Sequence, residues 1–335
     1  MKKSIHALSV CLSIAVLLLC GCRKSGRNVE PSVQPVQNQS EGTFGSFLKN
    51  AEKETYQEGT EKIQEKQMNI YCPESVYKPR TDVAYGTVKH ETYYSNTCRM
   101  ERGYNILLPA SYDGTKKFPV VYFQHGIFGD EYSITNDPNN SVKEITANLV
   151  ADGKAKEMII VFGNMYAADD PSMKPGFDAN AVKPYDNFLN ELVNDLMPYI
   201  ESHYSVLTGR QNTAVCGFSM GGRESLYIGL NRPDLFDYVG AISPAPGLVP
   251  GKDKYMVHEG SMQEADVRFD NDKPIPSVVM ICCGTTDSVV GQFPKLYHQL
   301  FQNNGINHTW FEVMGADHDN RAIRAGLYYF IQQIF

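Results

Sequence analysis

The stretch "AVCGFSMGGRES" (residues 214–225) sets one serine, Ser219, between Gly217 and Gly221, after an apolar run and before an amphipathic one. Two readings compete for it. Glycine and serine are common turn residues, and the same spacing also suits a serine lifted on a tight strand-to-helix turn. The flanks decide. "NTAVCGF" is a short apolar run, and "GGRESLYIGLNRP" continues at helical spacing until Pro233 stops it. A buried strand that passes into a helix through Gly-Phe-Ser-Met-Gly holds the serine hydroxyl above a sheet edge, with the free N–H groups of the helix start behind it.

The same alternation extends in both directions. "YNILLP" (104–109), "FPVVYFQHG" (118–126), "EMIIVFGN" (157–164), "YVGAIS" (238–243), "SVVMICCG" (277–284) and "TWFEVMG" (309–315) read as strands. Between them, 141–153, 185–204, 291–304 and 321–333 read as helices. In the long helix Phe188, Leu189, Leu192, Leu196 and Ile200 recur at helical spacing, and Pro198 is placed to kink its last turn. Continuous apolar strands alternating with helices predict an α/β fold, a mostly parallel sheet with helices on both faces. Reactive groups in such sheets lie beyond the carboxyl ends of the strands.

With 335 residues and 42% hydrophobic content the chain can bury one large core, an α/β domain of roughly 250 residues plus extensions. A formal charge of −7 argues against a nucleic-acid partner, because phosphate binding calls for a basic surface. Met1-Lys2-Lys3 followed by an apolar stretch from Ala7 to Cys20 has the pattern of an export signal and is short for a membrane span. Its end, Leu19-Cys20-Gly21-Cys22, resembles a bacterial lipobox. Gly21 makes Cys22 the candidate lipidation site, so a membrane anchor at the cell surface or facing the periplasm is expected, the alternative being an ordinary signal peptide of a secreted protein.

Residues 23–80 are expected to form a polar linker, with 44–67 either a Glu/Lys-rich helix or solvated chain, and 81–335 the folded domain. Outside the leader five cysteines remain, an odd number that rules out complete internal pairing. Cys216, Cys282 and Cys283 lie in apolar runs and read as small buried hydrophobes, whereas Cys72 and Cys98 could pair in an oxidising compartment. No cysteine or histidine spacing suggests a metal, and no cofactor is expected.

A serine alcohol is a weak nucleophile, so Ser219 calls for a base and an acid to orient it. His318, in "MGADHDN" just after a strand near the chain end, is the candidate base, while His308 precedes that strand and belongs at the other sheet edge. Asp287, in "TTDSVV" after "SVVMICCG", is the candidate acid. Asp317 and Asp319 are close neighbours of His318 in sequence and are poorly placed to meet its ring nitrogen. Met220 N–H and the backbone N–H of Ile127, in "FQHGIFGDE", are the candidate oxyanion donors. His125 reads as structural, and Trp310 as core. Phe128, Asn164 and Met165, each just beyond a strand, are candidate substrate contacts.

Taken together, "HGIFGDE", "GFSMGG", "CGTTDS" and "GADHD", with "NLVADGKAKEMIIVFGN" and "LMPYIESHYSV" between them, resemble carbohydrate esterase family 1, especially the feruloyl esterase domains attached to bacterial xylanases. The likeness runs from about residue 85 to 335. It implies an α/β-hydrolase that cleaves esters on plant cell-wall xylan, releasing ferulate, a related hydroxycinnamate or acetate, with Ser219, Asp287 and His318 at the positions of the family's triad. Two departures bear on substrate. Phe128-Gly129 stands where many relatives have Gly-Gly, and "DNRAIRAG" lacks an aromatic residue expected in some feruloyl esterases. A siderophore esterase, an acyltransferase and a catalytically silent carbohydrate-binding surface protein are the competing readings.

Overall fold

The computed structural model describes residues 70–270 and 272–335. Eight strands form one sheet in the order β1-β2-β4-β3-β5-β6-β9-β10. They are β1 (Thr87–Ser95), β2 (Met100–Leu108), β3 (Val120–Gln124), β4 (Ile159–Gly163), β5 (Thr213–Phe218), β6 (Tyr238–Ile242), β9 (Val278–Gly284) and β10 (Thr309–Val313). The pairings β1–β2 and β2–β4 are antiparallel, and every pairing from β4 to β10 is parallel. A separate two-stranded hairpin, β7 (Gly251–Lys252) with β8 (Val257–His258), sits in the long connection from β6 to β9.

Strand geometry divides the core in two. Along β3, Val120 and Tyr122 belong to one apolar layer, and Val121 and Phe123 to the other, as the two-residue repeat of a strand requires. The first layer is closed by helices α2 (Ala179–Glu191), α3 (Met197–His203), α4 (Met220–Asn231) and α5 (Phe293–Asn303), through Tyr185, Phe188, Ile200, Leu226 and Tyr297. The second is closed by α1 (Val142–Ala151) and α6 (Asn320–Ile331), through Ile145, Leu149, Leu327 and Phe330. The expected mostly parallel sheet with helices on both faces is the observed architecture.

Three expectations change. The long helix starts six residues earlier than its apolar spacing suggested, because Asp178 caps it by accepting from Asn180 N (3.0 Å) and Ala181 N (3.0 Å). It is also interrupted over Leu192–Leu196 by a π-type turn, in which Met197 N reaches back to Leu192 O, and the α-helix resumes with Pro198 in its first turn, where proline's missing N–H is tolerated. The folded region begins before residue 81. A one-turn helix at Glu74–Tyr77 buries Val76, and Asn148 of α1 donates to Val76 O (2.7 Å) and Lys78 O (3.0 Å).

Cys72 and Cys98 are both free thiols and cannot meet: Cys98 is buried in the first apolar layer, while Cys72 packs against the second, across the sheet. Cys216, Cys282 and Cys283 are free and buried, as their apolar settings suggested. The proposed leader, with Cys22, and most of the linker lie outside the described residues.

Candidate active site

Strands β3, β5, β9 and β10 deliver the candidate groups from their carboxyl ends. At the end of β5, Ser219 takes φ 59° and ψ −119°, a conformation that costs a non-glycine residue about 1–3 kcal/mol and persists only where the surroundings enforce it. Here they do. Ser219 N donates to Ile242 O of β6 (2.9 Å), and Ser219 O accepts from Arg223 N (3.1 Å) and Ala245 N (2.9 Å). The flanking glycines allow the turn to be this tight. A Cβ on Gly217 would stand 2.4 Å from the Gly221 carbonyl, and one on Gly221 would stand 2.4 Å from Gln124 O. One turn into α4, the buried Arg223 pairs with Glu224 and with Asp186 of α2, tying the helix that carries Ser219 to its neighbour.

Asp287 and His318 meet. His318 Nδ1 lies 2.9 Å from Asp287 Oδ2, so Nδ1–H donates to the carboxylate and Nε2 is the nitrogen left to exchange a proton. The other carboxylate oxygen accepts from Val289 N (3.1 Å) and Val290 N (3.0 Å). Burial pushes the Asp287 carboxyl up, but the hydrogen bond and charge of His318, with the Val290 N–H, outweigh it and hold the group below the ordinary carboxylate range. The imidazole packs on Phe218, next to Ser219, with ring centroids 4.4 Å apart.

The two neighbouring aspartates have other tasks. Asp317 Oδ1 accepts from Ser288 N (2.7 Å) and His318 N (2.8 Å), fastening the Asp287 loop to the His318 loop. Asp319 caps α6. His308 is engaged elsewhere, with its Nε2 2.8 Å from His298 Nδ1. Trp310 stacks on His298 and packs against the first apolar layer.

The loop after β3 carries the second candidate oxyanion donor. Phe128 N donates to Tyr185 Oη (3.1 Å) and Gly129 N to Gly126 O (3.1 Å), so these two are engaged and Ile127 N–H, ahead of them, stays the candidate. A Cβ placed on Gly126 would lie 3.8 Å from Ser219 Oγ, so this loop runs directly beside the serine. His125 holds the loop from beneath: Nδ1 faces Gly126 O (2.7 Å) and Nε2 accepts from Met165 N (2.9 Å). These partners require the hydrogen on Nδ1, a neutral and structural imidazole.

Two clefts flank the site. The first, narrow at about 40 Å³, is walled by Ile127, Ser219, Met220, Pro246, Val289 and Val290 among others, with Phe177 and Tyr255 also in its lining. Those two rings stack at 4.7 Å, and Phe128 meets Phe177 edge-on at 5.1 Å. The second, about 360 Å³, lies between the loop 126–140 and the start of α6 and is lined by His318 and Phe128 with several polar side chains. A larger cavity of about 400 Å³ between Asp82–Gly86 and α1 contains none of these candidate groups.

Of the candidate substrate contacts, Phe128 lines the second cleft, and Asn164 and Met165 line neither of the two. Met165 is fully buried and serves His125, and Asn164 is consumed by the fold. Its Nδ2 donates to Glu131 (3.1 Å), its Oδ1 accepts from Tyr166 N (3.1 Å), and its carbonyl accepts from Arg102 (2.6 Å). Phe177, Tyr255, Val289 and Val290 were missed. The first two lie in long connections without periodicity, and only the length of those connections marks them as candidates for function.

Comparison with known proteins agrees with this geometry. The Esterase family, described as "putative esterase", matches residues 95–313. An endo-1,4-beta-xylanase/feruloyl esterase of Xylanibacter ruminicola is 30% identical over 174 residues, which is 50% of this chain but only 23% of that protein. A carbohydrate esterase family 1 ferulic acid esterase of Anaeromyces mucronatus, solved with ferulic acid, is 50% identical, with a TM-score of 0.75 over 82% of this chain and 98% of the other. An S-formylglutathione hydrolase of Staphylococcus aureus, at 17% identity and TM-score 0.54 over 75% of this chain and all of that one, shares the fold alone. A nucleophile-type elbow on a mostly parallel sheet, an Asp–His pair at neighbouring strand ends and a family match across most of the folded region lead to one conclusion: the chain belongs to the Esterase family of α/β-hydrolases and is a carboxylic ester hydrolase resembling the feruloyl esterases of carbohydrate esterase family 1.

Proposed function

We propose that the chain is a serine esterase that releases hydroxycinnamic acids, ferulate foremost, from esters on plant cell-wall xylan. The observation that carries this is its 50% identity to a ferulic acid esterase solved with ferulic acid, of which it covers 98%. In this reading Ser219 Oγ attacks the ester carbonyl while His318 Nε2 takes the hydroxyl proton. The resulting oxyanion lies between Ile127 N–H and Met220 N–H, donors of a kind commonly worth about 3 kcal/mol each. Collapse expels the alcohol, protonated by His318, and leaves an acyl-Ser219 ester. Water deprotonated by His318 then frees the acid. Asp287 holds the imidazole in the tautomer that this sequence of steps needs.

The aromatic acyl group fits the apolar cleft in kind. The cleft is narrow, about 40 Å³, and the stacked rings of Phe177 and Tyr255 are among its lining. That same narrowness favours acetate as a second reading. Chromatography of the acids freed from feruloylated and acetylated arabinoxylan separates them: ferulate as the main product supports the proposal, and acetate alone overturns it.

Export and lipid anchoring through Cys22 belong to the same proposal and rest on the leader sequence. A Cys22→Ala variant expressed in a bacterial host is expected to move from the membrane fraction to the soluble fraction. An unchanged distribution contradicts the anchor.

A further inference from the structure

Ser243 follows directly on β6, the strand that lies between β5, which ends beside Ser219, and β9, which leads to Asp287. Its backbone takes φ 46°, in the left-handed region that a non-glycine residue occupies at a cost. Hydrogen bonds on every side enforce it. Ser243 N donates to Cys282 O of β9 (2.6 Å), and in the same turn Ile242 O accepts from Ser219 N (2.9 Å) while Ala245 N donates to Ser219 O (2.9 Å). The turn that carries Ser243 thus braces the turn that carries the nucleophile. Glycine would hold this conformation without strain, so the backbone alone gives no reason for a serine here.

The side chain supplies one. Ser243 is fully buried, and its Oγ has no partner of hydrogen-bond geometry. A buried hydroxyl left in that state costs stability. The Asp287 side chain, 1% exposed, has the matching vacancy. An ionised carboxylate offers about four acceptor sites; here Oδ1 takes Val289 N and Val290 N, and Oδ2 takes only His318 Nδ1. The two groups are within reach of each other. Burial pushes the Asp287 carboxyl up, and the Ser243 hydroxyl acts with His318 and the Val290 N–H to hold it down.

We propose that Ser243 is a positioning residue for the reaction, its hydroxyl turning about Cα–Cβ to donate to Asp287 Oδ2 and fix the carboxylate against His318. The bond supports the buried anion while the imidazole carries its second proton, and it keeps the carboxylate from twisting away from Nδ1. Ser243 touches neither the ester nor the transferred proton and acts only through Asp287. The inference rests on the triad of the proposed function and deepens it.

The test measures kcat and KM of Ser243→Gly and Ser243→Ala on methyl ferulate and on 4-nitrophenyl acetate. Both variants are expected to lose about tenfold in kcat on both esters with KM within about twofold of wild type, the loss of one hydrogen bond to a charged group. Ser243→Gly, relieved of the strained φ, is expected to unfold no lower than wild type. In an Asp287→Ala background Ser243→Gly should cost less than about twofold, because its acceptor is gone, whereas a serine that only supports the fold would cost the same in both backgrounds. Wild-type kcat in Ser243→Gly, or an undiminished loss in the Asp287→Ala background, overturns the inference. Wild-type activity in Asp287→Ala overturns instead the triad on which it rests.

Discussion

Two histidines near the same sheet edge show how far a residue type can be read without its surroundings. His318 follows a strand, faces Asp287 and keeps one nitrogen for proton exchange, and its place in the chain was enough to single it out. His125 also follows a strand, but it is 1% exposed and both its nitrogens are occupied. Burial pushes the His125 imidazole down to about 4, against the modest opposing effect of the Gly126 carbonyl. An unfolded imidazole titrates near 6.5, so between these values the unfolded chain binds a proton that the folded one refuses. His125 thus imposes no penalty above that range. It destabilises the fold progressively as pH falls through it, by about 3 kcal/mol in total. Near pH 5 the stability of wild type should fall more steeply on acidification than that of His125→Gln, by up to about 1.4 kcal/mol per pH unit. Equal slopes in denaturant titrations at pH 4.5, 5.5 and 7 would contradict a buried neutral His125.

Asn164 and Met165 mark the limit at this scale. Position just beyond a strand describes cleft residues and loop supports alike. What separates them is where the hydrogen bonds go, and those partners, Glu131, Arg102 and His125, are distant in sequence.

Among the elements, continuous apolar strands and amphipathic helices were legible, and the mostly exposed strand β1 and the short irregular elements were not. The central strands are continuous apolar runs, and each falls inside or beside its predicted range. β1 reads TVKHETYYS, with only Tyr93 and Ser95 buried; it is one of the two edge strands and pairs on one side only. Nothing in its periodicity announces a strand. The π-type turn in the long helix was equally hidden, since apolar spacing continues through it. It has a tertiary partner: Asp195 within it accepts from Asn96 N (3.1 Å), Thr97 N (3.0 Å) and the Asn96 amide (3.0 Å) at the β1–β2 turn. The hairpin β7–β8 is two residues per strand, too short for any pattern, yet Tyr255 at its tip borders the apolar cleft.

For the whole molecule, alternation of strands and helices was sufficient to predict the layers, and the order Ser219, Asp287, His318 was sufficient to predict which ends of the sheet matter. The strand order explains why. β3, β5, β6, β9 and β10 are successive parallel neighbours, so their carboxyl ends bring residues 127, 219, 287 and 318 to one edge although they span nearly two hundred positions. The lower boundary of the domain was placed too late because residues 70–80, with Pro73 and Pro79 and a helix of only four residues, are too short and irregular to show a helix or strand repeat. Their attachment rests on the buried Val76, on Ile70, Cys72 and Tyr77 packed against the second apolar layer, on the Arg80–Asp152 ion pair and on hydrogen bonds from Asn148.

The central claim is that hydrolysis proceeds through an ester on Ser219. It is tested most directly by the turnover of methyl ferulate by Ser219→Ala at neutral pH, beside the wild-type protein. Nearly all activity is expected to disappear while circular dichroism and thermal unfolding show an intact fold. Retention of more than about a few per cent of wild-type kcat/KM, well above the residual level left by binding and oxyanion donors alone, would contradict it.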